Sequence, residues 1–306
     1  MNYKKAFIYF LFFLPFWWGI NALASNLEDL WYLKEITQNP NILSARADQS
    51  IAQLKLSKVR TAEKIKDRLE DLKIEAQSMI VIEVDADYNA KILLEKKSRD
   101  LKSIASITKL MTALVIFDLD ETYGQDLTIK ISSKAISQDG LSELRTGNVF
   151  SVKNLLYRAL VKSSNDATFA LTQPIGETAF VDLMNIMAEK IGLKDTHFVN
   201  VTGLDPDGNE GKNISTARDL SLLAKYILEE HPEIFEITKT QDPQNTNEML
   251  GEYPEIIGGK TGWTPIAGEC LIIVSQKPKS QNHYISVVLG ANNRFVQMRK
   301  ILNALK

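Results

Sequence analysis

A single cysteine, Cys270, stands in this chain of 306 residues. That scarcity excludes an intramolecular disulfide and any metal site built on several thiolates. Histidine is nearly as scarce. Only His197, His231 and His283 occur, with no H-E-x-x-H pair, which argues against a zinc hydrolase. No glycine-rich phosphate loop is present. Acidic and basic residues nearly cancel to a formal charge of −2, so nothing favours nucleic acid or a polyanionic partner. No cofactor and no metal are expected.

What the N-terminus does contain points out of the cytoplasm. Lys4 and Lys5 precede "AFIYFLFFLPFWWGI", and "ALA" at 22–24 is a small-x-small site before Ser25. Basic, apolar and small residues in that order are the layout of a secretory signal peptide, here residues 1–24. The rival reading is an uncleaved anchor, since residues 6–24 are an apolar stretch of 19 residues, near bilayer-spanning length. Both readings export the rest of the chain to the periplasmic or extracellular side, leaving the basic end inside.

Residues 25–76 read as a charged, helical linker. Between 47 and 76, Ile51, Val59, Ala62, Ile65, Leu69 and Leu72 recur mostly three or four apart, the spacing of an amphipathic helix. A spacer, a helix packed on the next domain and a partner-binding coil all fit.

From residue 77 to 306 the pattern is that of one domain. "SMIVIEV" and "AKILLEK" are strand-like runs joined by the turn residues "DADYN". A helix is expected from near Ser106, carrying Leu110, Met111, Leu114, Val115 and Leu119, and helices continue to about residue 230. Ser151 is an N-cap candidate before the stripe Leu155, Leu156, Ala159 and Leu160. Thr216, with Asp219 three residues on, has a capping-box spacing. "EIIGGKTG", "ECLIIVS" and "HYISVVLG" return to strands, and "RFVQMRKILNAL" closes as an amphipathic helix. Strands at both ends with helices between predict an α+β domain, its antiparallel sheet assembled from both termini and flanked by helices, with a mainly helical lobe inserted.

The chemistry starts at "SITKLMT", which sets Ser106 and Lys109 one helical turn apart on the same face. A serine hydroxyl is a weak nucleophile until a base takes its proton, and histidine is scarce here. Lysine can serve if burial or neighbouring cations shift it toward neutrality. The free N–H groups of a helix start also suit a developing oxyanion. "SSNDA" adds the hydroxyl of Ser163 for proton relay and the amide of Asn165 for a peptide group. "GGKTGWT" puts Lys260 and Thr261 on a strand among Gly258, Gly259 and Gly262, where a substrate backbone can lie close. A fixed cation beside a hydroxyl suits a terminal carboxylate. Each motif is common alone, but the order S-x-x-K, S-x-N, K-T-G is that of β-lactamases and penicillin-binding proteins.

The sequence from about residue 77 to 306 resembles the serine-type D-Ala-D-Ala carboxypeptidases, the low-molecular-mass penicillin-binding proteins. "IASITKLMTA", "LVKSSNDATFAL", "MNIMAEKIGLKDTHFVNVTGLD", "STARDLSLLAKYI" and "GGKTGWTPIAGECLIIVS" carry the resemblance in order. It implies the penicillin-binding-protein/β-lactamase-like fold, with the site between sheet and helical lobe. Ser106 is then the residue acylated by a peptidoglycan stem peptide or by a β-lactam, and Lys109 its general base. Ser163 passes the proton to the leaving amine, and Asn165 holds the peptide backbone. Lys260 and Thr261 bind the terminal carboxylate, and the N–H groups of Ser106 and Trp263 form the oxyanion hole.

The sequence departs from the family pattern in places. Ser164 fills the middle of S-x-N, where many relatives have glycine. Many relatives also carry a β-rich C-terminal domain and a membrane-binding tail; with neither here, membrane attachment is expected only through residues 6–24. The alternative activities are a class A-like β-lactamase and a DD-endopeptidase on cross-linked stem peptides. Class A β-lactamases activate water with an E-x-x-L-N glutamate, whereas Glu210 and Asn213 here are three apart with no leucine between. Glu210 is therefore expected to be a solvated loop residue. Cys270 and His197 are expected to be structural, and "GLDPDGN" at 203–209 to border the site rather than bind calcium.

Overall fold

The structure, a computed structural model, describes residues 53, 64–124, 127–138, 143–205, 211–276 and 281–306. The expected export segment and most of the expected linker lie outside these residues. Among the described residues no helix is long and apolar enough to cross a membrane. Ile65–Lys306 form one compact unit.

The chain enters this unit through β1 (Ala76–Val84) and β2 (Ala90–Lys96). A long excursion follows, beginning with β3 (Lys102–Ser103) and α1 (Thr108–Asp118). It continues through β4 (Thr128–Lys130), β5 (Val149–Ser151), α2 (Val152–Leu160), α3 (Asn165–Ala170) and α4 (Glu177–Ile191). Then come β6 (Ile214–Ser215), α5 (Ala217–Glu230) and α6 (Glu233–Thr238). The return runs through β7 (Ile256–Thr264), β8 (Gly268–Gln276), β9 (His283–Ala291) and α7 (Arg294–Leu305). The main sheet has the order β2-β1-β9-β8-β7 and is antiparallel throughout. First and last strands meet at its centre, as expected for a sheet assembled from both termini.

Both faces of the sheet are covered. Side chains alternate along a strand, so Ile80, Ile82 and Val84 of β1 enter a core with Leu110, Leu114 and Leu220. Met79 and Val81 point the other way, to a second core with Met298 and Ile301 of α7. Cover on both sides explains why "SMIVIEV" is nearly continuous in apolar residues. Ile65 and Leu69, read from the sequence as part of the linker, are buried in that second core, and residues 65–70 are helical. Burying a side chain such as Leu69 stabilises the fold by about 2 kcal/mol.

Local signals act where expected. Ser151 Oγ accepts the Asn154 N–H at 3.2 Å and caps α2. Thr216 Oγ1 accepts the Asp219 N–H at 3.0 Å and caps α5. The other half of the capping box is redirected: the Asp219 carboxylate takes the Asp195 N–H and the Thr196 hydroxyl, at 2.7 and 2.9 Å. Two short strand pairs, β3 with β6 and β4 with β5, add to the expected sheet. The first sets the site, because it stitches the segment before Ser106 to the residues just after Asn213. The backbone of His197 pairs with Ile214 beside it.

Candidate active site

Ser106 sits in a 3₁₀ turn, Ala105–Ile107, just before α1. The α-helix itself starts two residues later than Ser106, at Thr108, which corrects the expected start. The turn is held in an unusual backbone: Ala105 has φ +46°, a left-handed conformation that costs a non-glycine residue about 1 kcal/mol. Strain of this kind collects where a side chain must be presented.

Lys109, in the first turn of α1, is only 1% exposed. Its Nζ meets three oxygens from three segments: Ser106 Oγ at 2.7 Å, Asn165 Oδ1 at 2.6 Å and the Thr202 carbonyl at 2.8 Å. Asn165 is brought there by the break between α2 and α3. Ser163 takes φ +60°, and Ser164 Oγ accepts the Ala167 N–H to cap α3. A cap is a use for a serine at the middle of S-x-N that glycine cannot fill with a side chain.

Thr202 is placed by two amides, Asn200 and Asn213, that sequence reasoning did not assign to the site. Asn200 Oδ1 accepts the N–H groups of Thr202 and Gly203, at 3.2 and 2.7 Å. Asn213, 2% exposed, accepts the N–H groups of Val199 and Asn200 and donates to Thr108 Oγ1 at 2.9 Å. It thereby ties Val199 and Asn200 to the start of α1. Gly203 completes the fit: it has φ +84°, and a Cβ there would lie 2.0 Å from the Ala105 carbonyl oxygen. Asn213 is thus committed to backbone groups and the Thr108 hydroxyl, while Glu210 lies outside the described residues.

The second wall is the edge strand β7. Lys260, also 1% exposed, donates to Ser163 Oγ at 2.9 Å and to the Thr261 carbonyl at 3.0 Å. Burial, then the charges of Lys109 and Arg294, hold its ammonium well below the ordinary lysine range. Thr261 Oγ1 bonds Thr246 Oγ1 at 2.6 Å. Gly262 lets β7 press on the Ser106 turn, since a Cβ there would lie 2.9 Å from the Ile104 carbonyl and 3.2 Å from the Ser106 nitrogen. The Gly259 N–H leaves the sheet edge for Thr238 Oγ1 at 3.0 Å. Period-two alternation turns the Thr261 and Trp263 N–H groups to that same open edge. The Trp263 side chain is 60% exposed.

Every site residue expected from the sequence is therefore on one of two facing walls. Arg294 was not foreseen. At the start of α7, its Nη1 donates to the Gly262 carbonyl at 3.0 Å, and nothing local in "NNRFV" signals that contact.

Residues 63–293 match the family described as Peptidase_S11, D-alanyl-D-alanine carboxypeptidase. The chain belongs to this family. It is 33% identical over 256 residues to the D-alanyl-D-alanine carboxypeptidase DacF of Bacillus subtilis, covering 77% of this chain and 63% of that protein. A D-alanyl-D-alanine endopeptidase of Pseudomonas aeruginosa is 34% identical over 204 residues, 61% of this chain and 64% of its own length. The chain thus spans less than two thirds of the length of these curated relatives. Among solved structures, penicillin-binding protein D2 of Listeria monocytogenes in its ampicillin-bound form matches with a TM-score of 0.67 and 30% identity. That match covers 77% of this chain and 98% of the other. The α+β architecture found here is that of the family's penicillin-binding-protein relatives.

Proposed function

We propose that the protein is an exported serine-type D-alanyl-D-alanine carboxypeptidase. It removes the terminal D-Ala of peptidoglycan stem peptides through an acyl-enzyme on Ser106, and penicillin acylates the same serine. The observation that carries this reading is the set of three oxygens around Lys109 Nζ. A neutral lysine has two N–H bonds and one lone pair. The Thr202 carbonyl can only accept, and so can Asn165 Oδ1. With both N–H groups spent on them, the lone pair faces the Ser106 hydroxyl, as a general base requires.

Ser106 Oγ then attacks the penultimate D-Ala carbonyl as its proton passes to Lys109. The oxyanion meets the N–H groups of Ser106 and Trp263. The proton moves on through Ser163 to the leaving nitrogen, the C–N bond breaks, and D-Ala departs. Water, giving its proton back along the same path, hydrolyses the ester and restores Ser106. Asn165 combines its bond to Lys109 with holding the peptide backbone.

Thr261 binds the terminal carboxylate, backed by the positive potential of Lys260 and Arg294. Among the described residues no carboxylate pairs with Lys260, and a buried cation without a counter-charge is costly. An incoming carboxylate supplies that counter-charge. Residues 1–24 act in export, cleaved as a signal peptide or kept as an anchor through 6–24, and the part of the expected linker before Ile65 joins them to the catalytic domain.

A second reading, cleavage of cross-linked peptides, has the name of the Pseudomonas relative behind it and uses the same chemistry. The test is Ser106→Ala, which should abolish both fluorescent-penicillin labelling and release of D-Ala while the protein stays folded. Labelling that survives in a folded Ser106→Ala variant refutes the assignment. In the parent enzyme the penicilloyl adduct should persist for minutes or longer while stem peptide turns over; rapid penicillin hydrolysis, lost in Glu210→Gln, would make the chain a β-lactamase instead. Free D-Ala-D-Ala peptide and cross-linked dimer, assayed side by side, separate carboxypeptidase from endopeptidase.

A further inference from the structure

The loop between α6 and β7 carries a second hydroxyl to the carboxylate side of the site. Asn245 Nδ2 donates to the carbonyls of Thr238 and Thr240, at 3.0 and 2.9 Å. The Tyr157 hydroxyl of α2 bonds the Asp242 carboxylate. The Thr246 N–H donates to the Val161 carbonyl at 3.1 Å, two residues before Ser163. These anchors hold Thr246, half-buried, where its Oγ1 meets Thr261 Oγ1 at 2.6 Å, the short end of the hydroxyl–hydroxyl range.

We propose that Thr246 is a positioning residue: it sets the direction of the Thr261 O–H and thereby the recognition of the substrate's terminal carboxylate. The inference rests on the reading of Thr261 as a carboxylate ligand. A hydroxyl has one proton to give and two lone pairs to receive. Thr261 donates its proton to Thr246. A carboxylate is a stronger acceptor than a neutral hydroxyl, so the Thr261 O–H turns to it on binding. Thr246 then reverses its own O–H and donates to Thr261 Oγ1. Two protons rotate and the heavy atoms stay where they are. Donation into Thr261 strengthens its bond to the carboxylate, because hydrogen bonds in a chain polarise one another. Without Thr246, the Thr261 hydroxyl loses that support.

The test measures kcat and KM for Thr246→Val and Thr246→Ser on a peptide ending in D-Ala-D-Ala and on its C-terminal amide. Valine keeps the shape and deletes the hydroxyl. The expected result is a KM for the free acid raised about fivefold to tenfold in Thr246→Val, with kcat and the amide substrate changed less than about twofold. Thr246→Ser should return KM to the parent value. An unchanged KM in Thr246→Val, an equal loss on both peptides, or a loss that serine does not restore overturns the proposal. Thr261→Val, run alongside, separates the two layers of argument. If it fails to distinguish acid from amide, the carboxylate reading falls and this inference with it; if it distinguishes them and Thr246→Val does not, only the role of Thr246 falls. Penicillin labelling and a melting curve check each variant's fold. Should Thr246→Val not fold, Thr246→Ala against Thr246→Ser makes the same comparison.

Discussion

Lys109 and Lys260 are the same residue type with the same 1% exposure, yet their surroundings differ in kind. Lys109 meets three oxygens drawn from three parts of the chain, one of them the Ser106 hydroxyl. Lys260 meets the Ser163 hydroxyl and the carbonyl of its own neighbour, Thr261, with Arg294 adding a further positive charge. Burial alone therefore does not define what a lysine does. In the proposed mechanism the acceptors around Lys109 leave its lone pair directed at Ser106. Arg294 adds positive charge near Lys260, and among the described residues no carboxylate pairs with Lys260 itself, a setting that suits an anion. On the proposed reading, one lysine moves a proton and the other attracts a charge.

The sharpest way to break this comparison is Lys109→Ala. Acylation of Ser106 by penicillin and by peptide should fall on the order of 10³-fold, the middle of the range for a general base. Timed labelling with a fluorescent penicillin checks it. The assignment of roles reverses if Lys260→Ala causes that loss and Lys109→Ala does not.

Lys260→Ala should cost a free-acid peptide roughly 10- to 100-fold in kcat/KM, the worth of a charge-assisted contact, and cost the C-terminal amide much less. Equal losses on the two peptides would remove the carboxylate role. Asn213→Ala tests the support of Lys109 from a distance. Losing bonds to the Val199 and Asn200 N–H groups and to Thr108 should lower acylation about tenfold and stability by about 1–3 kcal/mol. Acid and amide peptides should suffer alike, because Asn213 acts on the Lys109 wall only.

The smallest effect is on pH-dependent stability. Lys260 binds its proton less tightly in the folded chain than its ordinary value of 10.5 implies. Between the depressed folded value and 10.5, the unfolded chain therefore holds more protons, and stability rises with pH across that interval. Melting temperatures should climb from neutral toward alkaline pH more steeply in the parent than in Lys260→Met. Parallel slopes would show that Lys260 is not held below its ordinary range.

Much of the fold could be read along the chain. Strand runs at both ends, capping residues such as Ser151 and Thr216, and the apolar stripe of α2 act over a few residues, so their signals are local. The pairs β3–β6 and β4–β5 escaped notice because strands of two or three residues are too short to carry a period. Ile65 and Leu69 showed helical spacing, but spacing cannot say which surface a helix covers. Asp219 carried the capping-box signal and used half of it, because two partners from the 195–196 turn took its carboxylate.

Within the site the division follows sequence separation. The sequence alone determined that Ser106 and Lys109 meet, because one helical turn brings residues three apart together whatever surrounds them. It also determined that β7 could approach closely, through Gly262. Only the tertiary structure decided that the Thr202 carbonyl, 93 residues from Lys109, would orient that lysine. Closure of the two walls likewise decided that Lys260 would find Ser163, 97 residues away, and that Thr246 would stand behind Thr261. Hydrogen bonds and charges act over a few ångströms, and no local pattern encodes which distant residues packing will bring within that range.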